Sequence, residues 1–177
     1  MISNEINFLR ELRMCENIVN LERCYVGFDE NRGCKTISLV MVFAKYGSIL
    51  KHLVKKQRYT EEEIRTILAQ LLLAVDLIHR HGIIHRDIKP DNILVIDRKE
   101  LKICISDLGM ACLTIDDEET KLKCGTPGYV APDVLKGAQF TTKSDIFSIG
   151  SFFFNLITNA NLFLGRNGKE VLVANKY

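Results

Sequence analysis

The stretch that decides the fold is IIHRDIKPDNILV, residues Ile83–Val95, in which charged side chains interrupt an apolar run. Residues 85–92 contain a His, an Arg, two Asp, a Lys, a Pro and an Asn. The apolar flanks are typical of buried elements, so they hold the connecting loop in place. A charged loop that is anchored on both sides is predicted to carry function rather than to be a flexible connection.

Regular elements are predicted on both sides of this loop. Thr60 and Glu63 form a capping-box pattern at the start of residues 60–81, where apolar residues then recur every three or four positions. This spacing predicts a long helix with Gly82 at its end. After the loop, NILVI and LKICI are separated by the polar DRKE and predict a β-hairpin. The loop therefore connects a helix to a hairpin.

The other segments extend this pattern. Residues 4–14 have helical spacing, whereas NIVNLERCYVGFDE predicts a strand region and the short apolar TISLVMVFA predicts a buried strand. Residues 106–133 predict a long loop. The stretch SDIFSIGSFFFNLIT, capped by Thr142 or Ser144, is apolar nearly all round, which predicts a helix buried at the centre of the domain.

Composition favours a soluble intracellular protein of one domain. The chain has 177 residues, 47% of them hydrophobic, and a net charge of +2 with both signs mixed, so neither a nucleic acid nor a membrane is a predicted partner. The basic run at residues 55–58 is interpreted as a solvated helix end. The six cysteines lack metal-ligand spacing and no signal peptide is apparent, which predicts free thiols and a cytoplasmic or nuclear location.

Four polar residues of the loop and hairpin predict a chemistry. Asp87 and Lys89 are two positions apart in an extended loop, so both side chains can face one point. Asn92 precedes the first strand of the hairpin and Asp107 follows the second, so the hairpin brings them together. Amide and carboxylate oxygens suit Mg²⁺, which takes its other ligands from water and phosphate. The set predicts phosphoryl transfer.

The motifs HRDIKPDN, DLG and GTPGYVAPD, followed by SDIFSIG, resemble in order and spacing those of eukaryotic protein kinases. The resemblance is to the serine/threonine type and, within it, to the calcium/calmodulin-dependent group. It implies an α+β two-lobe fold, with a remnant of the small β lobe at 1–43, a hinge at 44–47 and a mostly helical large lobe at 48–177. It also implies ATP and Mg²⁺ as cofactors and a protein Ser or Thr as the acceptor.

The resemblance implies roles for the loop residues. Asp87 would orient the substrate hydroxyl and accept its proton, and Lys89 would contact the γ-phosphate. Asn92 and Asp107 would bind magnesium. Arg86 would receive a phosphate carried by the activation loop.

The resemblance also implies a nucleotide pocket and a regulatory helix. Met41 would be the gatekeeper behind the adenine, whose edge would meet the backbone of Val42 and Ala44. Leu94 would lie under the base. Glu5 would be the acidic residue of the regulatory helix.

Several structural roles follow from the same resemblance. Thr126 would link the substrate segment to the catalytic loop, and Asp145 would hydrogen-bond the backbone of that loop. His85 would stack with Leu9 and Leu108 in an internal apolar spine. The two histidines before the loop, at 79 and 81, are interpreted as surface residues at a helix end.

The sequence also departs from the family pattern. A glycine-rich loop and a lysine precede the regulatory helix in the family, but this chain begins at Met1, so we expect both to be absent and the chain to be a partial kinase domain. Leu122 stands at the usual phosphosite, which makes Thr120 the hypothetical one. The acidic run at 116–119 is interpreted as a solvated loop, with phosphate mimicry as the alternative.

Two other functions stay open at the level of sequence. One is a catalytically inactive, truncated kinase-like interaction module, which the missing lysine favours and the intact loop residues disfavour. The other is a small-molecule phosphotransferase, which can share the spacing of Asp87, Asn92 and Asp107. The segment GTPGYVAPD argues against it, because that segment resembles a platform for peptides.

Overall fold

The computed structural model of the protein describes residues 2–13, 15–55 and 58–177. The helices are α1 (Ile2–Glu11), α2 (Ile49–Lys55), α3 (Glu61–Arg80), α4 (Asp117–Lys121), α5 (Pro132–Leu135), α6 (Thr142–Thr158) and α7 (Gly168–Lys176). The strands are β1 (Leu21–Asp29), β2 (Cys34–Met41), β3 (Ile83–Ile84), β4 (Ile93–Asp97), β5 (Lys102–Ile105) and β6 (Cys112–Leu113). The basic run at 55–58 lies partly outside the described residues.

The strands pair into three small antiparallel sheets, β1 with β2, β3 with β6, and β4 with β5. The hairpin predicted from NILVI and LKICI is confirmed as β4 and β5. The prediction that TISLVMVFA is a buried strand is wrong, because β2 is mostly exposed along its length. A two-stranded sheet leaves its faces open unless another layer packs on them, and α1 touches this hairpin only near its base.

The main apolar core lies between α1, α3 and the β4–β5 hairpin, and it fixes the position of the catalytic-loop stretch. Gln70, on the middle of α3, ties the helix to this hairpin. Its Nε2 donates to the Leu101 carbonyl at 2.9 Å, and its Oε1 accepts from the Ile103 N–H at 3.0 Å and from Asn17 Nδ2 at 3.1 Å. Because the side chain satisfies two backbone groups of the hairpin and also bonds to the Asn17 side chain, the helix and the hairpin hold a single relative position.

The start of α3 is as the sequence predicts, and its C-cap lies one residue before the predicted Gly82. The Thr60 hydroxyl accepts from the Glu63 N–H at 3.2 Å, and the Glu63 carboxylate accepts from the Thr60 N–H at 2.8 Å. This reciprocal capping box satisfies two backbone donors that a helix start leaves unpaired. At the other end His81 is the C-cap, and Gly82 has a φ of +69°, which glycine adopts at little cost.

The helix predicted from SDIFSIGSFFFNLIT is α6, with two corrections. Its N-cap is Thr141 rather than Thr142 or Ser144, and the Ser144 hydroxyl accepts from the Thr141 N–H at 3.1 Å. It is not buried all round either, since Ile146 and Ile157 are half exposed. The buried face carries serines and an asparagine beside its apolar residues, because that face satisfies the backbone of the segment at 128–129.

Residues 106–133, predicted as a loop, contain three short elements, β6, α4 and α5. The acidic run is not a solvated loop but the start of α4, where Asp116 Oδ1 accepts from the Glu119 N–H at 3.0 Å as an N-cap. None of the helices in the described ranges is long and apolar enough to cross a membrane.

Candidate active site

The conformation of the loop after β3 is set by one carboxylate on α6. The two oxygens of Asp145 accept from the backbone N–H groups of His85 and Arg86, each at 2.9 Å. Arg86 has a φ of +67°, a left-handed conformation that costs a non-glycine residue roughly 1–3 kcal/mol. Hydrogen bonds to a charged, fully buried acceptor offset that cost, so Asp145 holds the loop in its strained form.

His79 belongs to the same arrangement, and its interpretation as a surface residue is wrong. Its Nε2 lies 2.8 Å from Asp145 Oδ2, and its side chain is 15% exposed. Because an ionised carboxylate only accepts, the Nε2 atom of His79 carries the proton. The sequence held a signal for this position, since His79 lies four residues after the buried Val75 on the face of α3 that packs inward.

The structure brings Asp87, Lys89 and Thr126 together as a closed set of polar contacts. The Lys89 Nζ atom lies 2.7 Å from Asp87 Oδ2 and 2.8 Å from Thr126 Oγ1, and the Thr126 hydroxyl donates to Asp87 Oδ1 at 2.7 Å. The Asn92 amide also donates to the Asp87 carbonyl at 2.9 Å. The Asp87 side chain is 2% exposed, so its carboxylate is fixed in orientation by its neighbours.

Asn92 and Asp107 stand at the joined ends of the β4–β5 hairpin. The Ser106 N–H and hydroxyl both donate to the Asn92 carbonyl, at 2.8 and 3.0 Å, which places Asp107 beside the start of β4. Asp107 is exposed, with a φ of +64° that turns the chain out of the hairpin.

This donor set fits a magnesium ion. The Asn92 Nδ2 atom donates to the Asp87 carbonyl, which leaves Oδ1 of the amide as an oxygen ligand. Asp107 adds a carboxylate. Within the described part of the chain no cluster of three or more His, Cys, Asp or Glu residues could hold a metal. A site with so few protein ligands suits Mg²⁺, which keeps several waters and phosphate oxygens, better than a metal that needs a protein cage.

Glu5 lies next to the same site from α1. A Cβ at Gly109 would be 3.1 Å from Asp107 Oδ1 and 3.7 Å from Glu5 Oε2, so both carboxylates face this glycine. Burial raises the pKa of Glu5 above its ordinary value, and the nearby Asp107 charge raises it further. A cation between the two carboxylates would lower their mutual repulsion.

The predicted spine residues are all buried. Leu9 and Leu108 belong to the main core at 1% and 2% exposure, and His85 is fully enclosed. His85 Nε2 lies 3.2 Å from the Ser106 carbonyl, so the imidazole joins the catalytic loop to the residue before Asp107.

The predicted hinge lies between β2 and α2. Met41 ends β2 with 40% of its surface exposed, and the Val42 N–H donates to the Asn20 carbonyl at 3.1 Å. The Ala44 carbonyl accepts from the Gly47 N–H at 3.0 Å, and Leu94 pairs with Ser48 in an antiparallel bridge. The adenine contacts of Met41, Val42, Ala44 and Leu94 stay predictions.

Arg86 does not point into open solvent. Its Nη2 atom forms an ion pair with Glu119 Oε2 at 3.1 Å, with the arginine side chain 2% and the glutamate side chain 25% exposed. The hypothetical phosphosite Thr120 is 3% exposed, and its hydroxyl donates to the Asp117 carbonyl at 3.2 Å. Sequence reasoning assigned no individual role to Glu119, although phosphate mimicry was the alternative interpretation of the acidic run.

Comparisons with known proteins agree with this geometry. Residues 1–176 match the family described as "Protein kinase domain". "Probable serine/threonine-protein kinase 2" of Plasmodium falciparum (isolate K1 / Thailand) is 34% identical over 177 residues, which cover 98% of this chain and 33% of the relative. "Calcium/calmodulin-dependent protein kinase type 1" of Caenorhabditis briggsae and of Caenorhabditis elegans are 38% and 37% identical over 172 residues, covering 92% of this chain and 46% and 47% of the relatives.

The chain thus spans about a third to a half of the length of these relatives. The predicted fold class, α+β and protein-kinase-like, is confirmed. The resemblance to serine/threonine and calcium/calmodulin-dependent kinases is confirmed as well. The chain belongs to the protein kinase family.

Proposed function

We propose that this chain transfers the γ-phosphoryl group of Mg-ATP to a serine or threonine hydroxyl of a protein. The observation that carries the proposal is the closed set of contacts among Asp87, Lys89 and Thr126. It puts a carboxylate, an ammonium group and the peptide-facing segment within hydrogen-bond distance of one another. Phosphoryl transfer depends on such positioning and on neutralisation of charge rather than on covalent chemistry by the protein.

The Asp87 carboxylate has the geometry of a group that orients a hydroxyl. Thr126 and Lys89 each engage one of its oxygens, so the carboxylate cannot rotate freely. An acceptor hydroxyl that reaches Asp87 would donate to it and pass its proton there as the phosphoryl bond forms. The Lys89 ammonium, 19% exposed, can shift from Asp87 toward a phosphate oxygen.

Asn92 and Asp107 would hold the magnesium ion through Oδ1 and the carboxylate. When bound, Mg-ATP supplies the transferable phosphoryl group and neutralises its negative charge. The residues of this chain keep the two ligands at one place, because the hydrogen bonds of Ser106 close the hairpin between them.

The segment at 126–129 is held rigidly, which supports a peptide as the acceptor. The Ser148 hydroxyl donates to the Tyr129 carbonyl and the Ser151 hydroxyl to the Gly128 carbonyl, both at 2.7 Å. The Tyr129 hydroxyl donates to Asn155 Oδ1 at 2.6 Å, and burial together with the Asp91 charge raises the pKa of Tyr129 to about 12. A backbone held in this way can present fixed groups to an extended chain.

The division of the chain follows from the same proposal. Residues 1–43 belong to the small lobe, 44–47 to the hinge and 48–177 to the large lobe. All six cysteines are free thiols in the structure, which supports the predicted cytoplasmic or nuclear location.

The first test is phosphorylation of a degenerate Ser/Thr peptide mixture with labelled Mg-ATP. We expect Asp87→Asn to lower kcat by about a hundredfold or more, because the hydroxyl loses its proton acceptor. Asp91→Asn is the matched control, since it removes the same charge from an exposed residue of the same loop and should change kcat only a few-fold. Phosphorylation of small alcohols in place of peptides would show a small-molecule phosphotransferase instead.

A non-catalytic interaction module is the second candidate, and one observation favours it. The β1–β2 hairpin exposes large apolar side chains, with Val26 at 73% and Phe28 at 62% exposure. Nucleotide titration with and without magnesium separates the two functions. A catalytic chain gains affinity for ATP when magnesium is added and loses that gain in Asp107→Asn, whereas an interaction module shows no such gain.

A further inference from the structure

The guanidinium of Arg86 is enclosed by the chain itself. Its Nε donates to the Met110 carbonyl, its Nη1 to the Glu119 carbonyl and its Nη2 to the Glu119 carboxylate. The Phe140 ring covers it, with the Arg86 Cζ atom 5.7 Å from the ring centroid. At 2% exposure the side chain has its counter-charge and leaves no open face for a phosphate.

Glu119 links this arginine to the segment that meets the catalytic aspartate. It belongs to α4, and six residues later Gly125 lies against the Arg86 backbone, where a Cβ would be 3.1 Å from the Arg86 carbonyl oxygen. Thr126 follows and donates to Asp87. The segment from α4 to Thr126 therefore contacts the Arg86 side chain through Glu119 and the Arg86 backbone through Gly125.

Two hydroxyl side chains lie between Asp107 and Gly125, those of Thr114 and Thr120. Neither of them is an accessible phosphate carrier beside Arg86. Thr120 is buried, its hydroxyl donates within α4, and its carbonyl accepts from the Phe140 N–H at 2.8 Å. A phosphate on Thr120 would have to break these contacts. Thr114 directly follows β6, where its N–H donates to the Gly82 carbonyl, at the far end of the segment from Glu119.

We propose that Glu119 is a built-in counter-ion of Arg86 and holds the segment closed on Asp87 without any phosphate. Glu119 is then a positioning residue for phosphoryl transfer, because it acts through Arg86 and the segment rather than on the substrate. The catalytic consequence of this inference rests on the proposed function. The ion pair of Glu119 with Arg86, called the clamp below, is a property of the fold. It makes the activity of this chain independent of phosphorylation in the segment at 107–125.

The test compares Glu119→Gln with Glu118→Gln in protein treated with a phosphatase and shown to be phosphate-free by intact mass. We expect Glu119→Gln to lower kcat for peptide phosphorylation roughly tenfold or more, with the KM for ATP changed less than about threefold, because the nucleotide groups are untouched. Trypsin cleavage after the exposed Lys121 and Lys123 should accelerate. Glu118→Gln removes the same charge from the same helix and should leave both readouts unchanged, since its partner Lys121 is exposed.

Two further variants separate charge neutralisation from simple loss of structure. Glu119→Asp keeps the charge and should recover part of the rate. The double variant Arg86→Gln, Glu119→Gln leaves no buried charge unpaired. Its segment should therefore resist trypsin better than that of Glu119→Gln. This comparison also tests the clamp if the single variant unfolds. Cleavage of the double variant as slow as that of the wild type would overturn the clamp, because the pair is absent from that variant.

The outcomes distinguish this inference from the proposed function. A wild-type chain that phosphorylates no peptide contradicts the proposed function, and the trypsin comparison still decides whether Glu119 clamps the segment. A wild-type chain that is inactive when phosphate-free and active when the segment is phosphorylated overturns the inference while the proposed function stands. Identical behaviour of Glu119→Gln and Glu118→Gln overturns it as well.

Discussion

Asp145 is the residue on which the local geometry of the catalytic loop depends. It lies 60 positions after His85, so its carboxylate reaches the loop only because α6 packs against α3. It accepts hydrogen bonds from two backbone N–H groups and from the Nε2–H of His79, which together stabilise a fully buried carboxylate. Hydrogen bonds to a charged group contribute about 1.5–3 kcal/mol each, more than neutral ones. Loss of one of the three donors should therefore lower the free energy of unfolding by a measurable amount.

The prediction at this scale is that His79→Phe destabilises the protein by about 1–3 kcal/mol, because it leaves a buried carboxylate with one donor fewer. Urea unfolding followed by circular dichroism measures the difference. His81→Phe is the control, since the His81 ring bonds only to the Leu77 carbonyl of its own helix among its described contacts, at 2.8 Å. If both substitutions cost the same, the contact between His79 and Asp145 contributes nothing of its own.

At the scale of elements, α3 is the helix that carries the catalytic loop at its end, and its capping box defines where it begins. We expect Thr60→Ala to lower the free energy of unfolding by about 1 kcal/mol, because the Glu63 N–H loses its acceptor. For a chain of this size that corresponds to a fall in Tm of roughly 2–4 °C. Thr60→Ser keeps the hydroxyl and should keep the Tm, so a serine variant as unstable as the alanine variant would contradict the prediction.

The elements whose signals are local were predictable from the sequence. The capping box of α3, the left-handed glycine after it and the β4–β5 hairpin depend on residues within a few positions of each other. Two of the errors concern what packs on an element. The apolar run of β2 predicted burial although no layer covers most of it, and α6 was predicted buried all round although Ile157 is 49% exposed.

The same distinction applies to the candidate site. The residues of HRDIKPDN lie within one loop, and a hairpin brings Asp107 to Asn92, so their proximity followed from short-range rules. The helical spacing places His79 on the inward face of α3, but its partner and that of Glu119 lie 66 and 33 positions away, so no local pattern identifies those contacts. Contacts between distant elements were predicted only where a family motif supplied both partners, as for Thr126 and Asp145 with the loop.

At the scale of the whole molecule, the β1–β2 hairpin carries apolar surface that lies outside the main core. That core takes in side chains of α1, α3 and the β4–β5 hairpin, whereas one face of the β1–β2 hairpin exposes Val26, Phe28 and Ile37, at 73%, 62% and 42%. Val26 pairs directly with Ile37 across the hairpin, so these residues form one surface rather than scattered positions. A contiguous apolar face on an open two-stranded sheet favours association through that face.

The last prediction is that the isolated chain self-associates through this hairpin. At about 50 µM we expect light scattering to give a mass well above that of the 20.2 kDa monomer, because burial of the apolar face is favourable and the open strands can pair. The double variant Val26→Thr, Phe28→Thr keeps side chains that suit a strand while removing apolar surface, so its mass should move toward the monomer. Ile115→Thr is the matched control, since Ile115 is 83% exposed but lies outside the hairpin, and it should leave the association unchanged. A wild-type chain that is monodisperse at 20.2 kDa would show that the hairpin face is tolerated in water, and equal effects of both substitutions would place the association elsewhere on the surface.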